Sequence, residues 1–267
     1  MAAEVLRHGA YLAIAAPDEA RAALAAAPVQ AVAERLGLAS EFHAPDGHPA
    51  HAVAFLSRAG STPADMADPR LSEAGAIVHV ASADGEIVST FCAEVERLLG
   101  HGGGVSVLRG TVRPMQYTGG AMHEFAYAHQ RTQGSGDAMP NAFLLPLKKR
   151  PEWWAKDWME RHTYFLPRYE DGRMVSEGHP LAAAAGIPAL MRRTYRCDAD
   201  PYDFLTYFEC ADADVATFHA VCAALRDVRR NPEWRFVREG PTWRGRRRAS
   251  WSALWTASDT VPTTPAR

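Results

Sequence analysis

Aromatic, basic and histidine side chains crowd the second half of the 267-residue chain, where all seven tryptophans lie beyond residue 150: Trp153, Trp154, Trp158, Trp234, Trp243, Trp251 and Trp255. A large planar apolar ligand needs such a wall, with a few placed polar groups for its carboxylates. A packed core or an oligomer interface also uses tryptophan. Spacing excludes several other chemistries. His101-Gly102-Gly103-Gly104 resembles an oxyanion loop, but no GxSxG elbow supplies a nucleophile, so a helix ending in glycines is the better reading. No HExxH, P-loop or GxGxxG occurs. Cys92, Cys197, Cys210 and Cys222 lack CxxC spacing, which excludes a zinc ribbon or dithiol motif and leaves buried, reduced core residues. The basic run Arg244-Gly245-Arg246-Arg247-Arg248 could touch phosphate, but it is short and lacks interleaved aromatics. It reads as a solvated terminal strand.

The elements that must position these side chains follow from periodicity. Hydrophobic residues make up 47% of the chain and charged residues 22%, a globular composition that excludes disorder or coiled coil as the main theme. Twenty-nine Lys and Arg balance 31 Asp and Glu, so no global charge draws the protein to nucleic acid or an anionic membrane, and a small-molecule partner is expected. Asp18, Glu19 and Arg21 stand where a signal peptide would be apolar, and no long apolar run follows, so the expectation is a cytoplasmic protein. In the first half, strands are expected at Tyr11–Ala15, Ala52–Leu56, Ala76–Val80 and Val105–Leu108, with helices over Asp18–Leu38 and Glu86–Leu99. The second half repeats the order. A strand at Ala142–Leu147 precedes a helix ending near Ala185; strands at Ala189–Tyr195 and Phe204–Phe208 precede a helix at Val215–Val228 and a strand at Arg235–Val237. Two copies of β-α-β-β-α-β predict an α+β fold of tandem ferredoxin-like domains, each an antiparallel sheet with helices on one face. Residues 1–116 form the first domain and 141–267 the second, joined by a loop over 117–140.

Three blocks carry a resemblance. Leu145-Pro146-Leu147-Lys148-Lys149-Arg150-Pro151-Glu152-Trp153-Trp154 is similar to the "IPxKKxxEWW" segment of chlorite dismutases. Asp203-Phe204-Leu205-Thr206-Tyr207-Phe208-Glu209 resembles their "DFITYFE" strand, and Gly110-Thr111-Val112-Arg113-Pro114-Met115-Gln116-Tyr117 their "GVTKPLNY". The likeness runs from about Gly75 to Gly245; the first 60 residues share only the order of elements. The resemblance implies a dimeric α+β barrel type of fold that binds haem b, its iron held by His179 and faced by a distal Arg192. It also implies that Lys148, Trp154 and Tyr117 help bind the cofactor, and that the chain forms a homo-oligomer. A guanidinium over the iron would hold an anionic oxidant and stabilise charge growing on a departing oxygen. The implied activity is chlorite decomposition, or a peroxidase- or oxygenase-type oxidation of a small molecule.

Departures from the family pattern set further expectations. Family members place a glutamate behind the axial histidine; here alignment through Leu225–Asn231 puts Arg230 in that position. A cation cannot accept the ring N–H, so a less electron-rich iron is expected unless Asp227 or a carbonyl substitutes. An insertion between Trp154 and His179 contains Tyr164-Phe165-Leu166-Pro167, which looks more like a segment of the sister coproheme decarboxylases. That makes a haem-biosynthetic decarboxylase one alternative, although Leu145 stands where many of those enzymes have tyrosine. A haem-binding or haem-sensing protein without turnover is the other.

Overall fold

Most strands of this chain are apolar on both faces, because each separates two cores. The computed structural model describes residues 6–40, 49–100, 104–112, 139–186 and 189–256. In β1 (His8–Ala15), Tyr11 and Ala13 enter one core while Ala10, Leu12 and Ile14 enter another. Such a strand reads as a continuous apolar run rather than an alternating one. β2 (His51–Thr62), β3 (Ala74–Ser82) and β4 (Val105–Thr111) complete the first half in the order β4-β1-β3-β2. The second half repeats this arrangement with β5 (Asn141–Lys149), β8 (Met191–Cys197), β9 (Phe204–Cys210) and β11 (Thr242–Arg248). Its order is β11-β5-β9-β8. All of these pairings are antiparallel, and β4–β8 and β11–β2 join the halves into a closed barrel. Closure pairs both edges of each of these eight strands among the described residues.

Helices cover the outside. In α4 (Gly85–Leu99), Val88, Phe91, Cys92 and Val95 form one stripe packed on Leu12 and Ile14. The helix begins where the Asp84 carboxylate accepts from the Glu86 N–H at 2.8 Å. The corresponding helix of the second half, α8 (Val215–Arg226), lays Phe218, Val221 and Cys222 over Phe143 of β5 and Phe208 of β9. Phe143 and Phe218 stack at 3.7 Å between ring centroids, an arrangement that contributes about 0.5–1.5 kcal/mol beyond buried area.

Four expectations need correction. The helix expected over Asp18–Leu38 is split into α1 (Arg21–Ala26) and α2 (Val29–Arg35), because Pro28 lacks the N–H an uninterrupted helix needs. The long helix expected to end near Ala185 is several short elements: α5 (Pro151–Trp154), α6 (Trp158–Thr163), the hairpin β6 (Arg168–Glu170) and β7 (Arg173–Ser176), and α7 (Gly178–Ala182). The last strand is not at Arg235–Val237, where a 3-10 turn over Pro232–Phe236 leads into the short β10 (Val237–Glu239). It is the arginine run itself. β11 lies between β5 and β2, with Trp243 and Gly245 buried, and its arginines are engaged rather than solvated. Arg246 bonds Asn141 at 3.1 Å and pairs with Asp212, while Arg248 donates to Ser57 at 2.8 Å. All four cysteines are free, three buried and Cys197 half-buried. No helix of the described residues is long and apolar enough to cross a membrane.

Candidate functional site

One cleft opens between the outer face of the second-half strands and their covering helices. Strand alternation brings Leu145 and Leu147 of β5, Arg192 of β8, and Thr206 and Phe208 of β9 to its floor. Val221, Cys222 and Leu225 of α8 form one wall; His179 and Pro180 of α7, with Phe165, form the other. Trp234 and Arg226 also line it, and the space is about 970 Å³ with its open mouth included. Among the large apolar side chains here, Phe208 and Leu225 are buried.

The chain delivers His179 to the cleft through a strained turn. Gly178 adopts φ 71°, a conformation that costs an L side chain roughly 1–3 kcal/mol. A Cβ there would also lie 2.7 Å from the Phe165 carbonyl oxygen. The Gly178 and Glu177 N–H groups both donate to the Arg230 carbonyl, at 3.0 and 2.9 Å, which pins this turn to the segment after α8. Gly178→Ala is therefore expected to lower stability by about 1–3 kcal/mol and to displace His179; urea denaturation checks the first effect and ligand titration the second.

Behind the imidazole stands Glu233. The His179 Nδ1 and Glu233 Oε2 are 3.0 Å apart, a geometry in which Nδ1–H donates and Nε2 keeps its lone pair for the cleft. The other oxygen of Glu233 pairs with the Lys149 ammonium, which sits 4.4 Å over the Trp153 ring. Glu233 and Lys149 are almost wholly buried. Burial alone would raise the Glu233 carboxyl, but Lys149 and His179 together hold it down at about 2. Burial also pulls the Lys149 ammonium below its ordinary value, against the attraction of Glu233. The depressed Glu233 is the direction that fits the contacts, since the carboxylate faces two donors. Arg192 completes the arrangement: its Nε is buried and has no hydrogen-bond partner among the described residues.

This arrangement corrects the sequence reading of what stands behind the imidazole. Arg230 does not stand behind His179; it grips Glu177 at 2.8 and 2.9 Å on the exposed surface. Glu233 does so instead, because the 3-10 turn that follows Pro232 carries it under the imidazole. The available signal was Asn231-Pro232-Glu233, a carboxylate immediately past the aligned segment. Of the two adjacent lysines, Lys149 rather than Lys148 shares the face of Leu145 and Leu147. Lys148 is on the opposite side of β5 and pairs with Asp200 at 2.7 Å. Trp154 does not line the cleft either: its Nε1 donates to Asp203 at 3.3 Å and the Arg196 guanidinium lies 4.4 Å over its ring. Tyr117 lies outside the described residues.

The donor set constrains what could bind. No group of three His, Cys, Asp or Glu able to hold a metal ion occurs among the described residues. Among the described residues, then, a metal at His179 would find fewer than three such ligands, which suits one that brings its other ligands with it. An apolar cleft, one imidazole facing it and a guanidinium whose Nε has no partner among the described residues together fit a metal carried in a flat macrocycle, as haem is.

Barrel and covering helices define an α/β barrel protein with a cleft, lined by His179 and Arg192, between its second-half sheet and helices. Solved structures give that class a name. The chlorite dismutase of Candidatus Nitrospira defluvii in complex with imidazole matches with a TM-score of 0.65 at 21% identity, over 94% of each chain. An arginine-to-lysine variant of that protein gives the same values, and a tryptophan-to-valine variant has a TM-score of 0.65 at 20% identity, again over 94% of each chain. The chain has the chlorite dismutase fold. No family model and no curated protein matches the sequence.

Proposed function

We propose that this chain is a haem b-dependent oxidoreductase of the chlorite dismutase type that acts on an oxyanion or peroxide. The observation that carries this reading is the convergence on one apolar cleft of His179, backed by Glu233, and Arg192, whose Nε has no partner among the described residues. The two strand orders, β4-β1-β3-β2 and β11-β5-β9-β8, support reading the chain as two ferredoxin-like halves, the second of which would carry the cofactor. With Glu233 behind the imidazole, a site that merely carries haem loses its main support. All large apolar side chains that are exposed among the described residues lie between Trp158 and Val228, a concentration that suits a homo-oligomer contact.

Mechanism follows from the roles of the side chains. His179 Nε2 would hold the iron while its Nδ1–H stays bonded to Glu233, whose negative charge makes the imidazole a better electron donor. Bound haem supplies an iron centre that can accept an oxygen ligand and exchange electrons with it. Arg192 binds the incoming anion and opposes the charge that develops as its O–O or Cl–O bond breaks. Leu145, Leu147, Phe208 and Val221 keep water from the reacting atoms and thereby strengthen that electrostatic effect.

The test is an optical titration of the purified protein with haem b, followed by turnover assays with chlorite and hydrogen peroxide. A Soret band at one haem per chain, lost or shifted in His179→Ala, is the expected result. Failure of the wild-type protein to take up haem would end the reading.

A further inference from the structure

The barrel interior, on the other side of the sheet from the cleft, holds a buried phenol network that the proposed mechanism does not use. Tyr11, Tyr195, Tyr207 and His79 are fully buried there. Tyr11 stacks on His79 at 4.2 Å between centroids and 16° between planes; Tyr207 lies 4.5 Å from His79 and 5.8 Å from Tyr11. Tyr195 meets Tyr11 edge-on at 5.9 Å, and its hydroxyl is 3.3 Å from His79 Nε2. Beside this stack the Tyr207 hydroxyl donates to Glu209 Oε1 at 2.6 Å, and Glu209 is paired with Arg247. Tyr207 sits directly behind the cleft, because its strand neighbours Thr206 and Phe208 form the cleft floor. One thickness of β9 separates the two sites.

The geometry points to Tyr207 as a redox-active tyrosine that gives an electron to the oxidised cofactor in the cleft and its phenolic proton to Glu209. This rests on the haem reading above. In the balanced step, hydrogen peroxide would take two electrons from the bound haem and two protons from solvent to become two waters; Tyr207 returns one of those electrons, and the second oxidising equivalent stays on the haem. One electron then passes from the Tyr207 ring to the oxidised haem, and the O–H proton moves along the existing hydrogen bond to the Glu209 carboxylate. The products are a neutral phenoxyl radical and a neutral carboxylic acid. A phenol stripped of an electron is a strong acid, so even a carboxylate paired with arginine accepts its proton. Without that transfer the interior would hold a bare radical cation, which burial penalises heavily. In the resting state burial raises the Tyr207 hydroxyl well above its ordinary value, so the proton stays on oxygen until oxidation. The stacked Tyr11 and His79 rings and Tyr195 lie close enough to Tyr207 to share the oxidising equivalent, which would keep a stray oxidation away from the cleft residues.

The experiment is freeze-quench electron paramagnetic resonance of the haem-loaded protein after hydrogen peroxide. A tyrosyl signal is expected, largely lost in Tyr207→Phe and reduced in yield in Glu209→Gln. As a check independent of folding changes, 3-fluorotyrosine placed at position 207 should alter the hyperfine pattern. A signal that persists unchanged in Tyr207→Phe and is indifferent to the fluorine overturns the assignment, as does a complete absence of tyrosyl signal. The absorption spectrum of the same sample shows whether haem is bound. If it is not, the haem reading fails separately, and flash oxidation of the haem-free protein with a ruthenium(III) polypyridyl decides the matter. There a phenoxyl absorbance dependent on Tyr207 supports only its part as an oxidisable phenol coupled to Glu209, while electron transfer to haem falls with the haem reading; its absence sinks both.

Discussion

Replacing Glu233 by glutamine is expected to cost the folded protein about 3–5 kcal/mol, because it strands the buried Lys149 ammonium without its counter-charge. Glutamine preserves shape and can still accept the His179 N–H through its carbonyl, so the loss is specific to charge. Two neighbours depend on that carboxylate, and the effect should split accordingly. Removing both members of the ion pair, as in Lys149→Met with Glu233→Leu, should recover most of the stability, since a well-packed apolar pair is often no worse than a buried ionic one. It should not recover the tuning of His179, which needs an acceptor at Nδ1; haem affinity is expected to fall by roughly 10–100-fold whenever that acceptor is lost. Chemical denaturation of the two single variants and the double variant measures the first effect, and haem titration measures the second. A Glu233→Gln protein as stable as the parent would show that Lys149 has another counter-charge.

The same residue sets an acid limit. Glu233 titrates at about 2 when folded, against an ordinary value of 4.5. A depressed carboxyl contributes stability above its unfolded value and loses it as pH falls through the folded one. The contribution is therefore complete above about 4.5 and disappears progressively toward about 2. In Glu233→Gln this part of the acid dependence should be missing.

What was legible in the sequence divides along physical lines. Strands with apolar residues on both faces, such as Tyr11–Ala15 and Phe204–Phe208, announce themselves because burial on two sides leaves a continuous run. The closing strand β11 did not, because its outward positions are arginines that find partners only after distant segments come together. Asp212 neutralises Arg246 and Asn141 accepts a hydrogen bond from it, and neither is near it in sequence. His179 and Arg192 were reached through a motif resemblance, and the fold brings both to one cleft. Lys149 was missed by a single residue, and in a strand a shift of one reverses the face. Glu233 was missed because the 3-10 turn after Pro232 moves the carboxylate by a geometry that local alignment does not encode. The interior network around Tyr207 was invisible for a simpler reason: its members come from four different strands, β1, β3, β8 and β9.

The largest effect on turnover is expected at Arg192. Its Nε is buried and without a hydrogen-bond partner among the described residues, and the half-buried side chain lines the cleft. A guanidinium already in place there has leverage on a developing charge. Arg192→Ala should lower kcat/KM for an anionic oxidant by roughly 10²–10³-fold, in line with the loss of one preorganised donor. Arg192→Lys should fall between the two, since it retains the charge but loses the planar fork that binds two oxygens at once. Haem affinity should change little in either variant, because the cofactor is held from the His179 side. The separation is the useful readout: weaker binding of small anions to the ferric protein and slower turnover, with an intact Soret band, would assign Arg192 to the substrate rather than to the cofactor. Full activity in Arg192→Ala would remove the guanidinium from the mechanism and leave the apolar walls and the backed imidazole as the only elements of the cleft that act on the reaction.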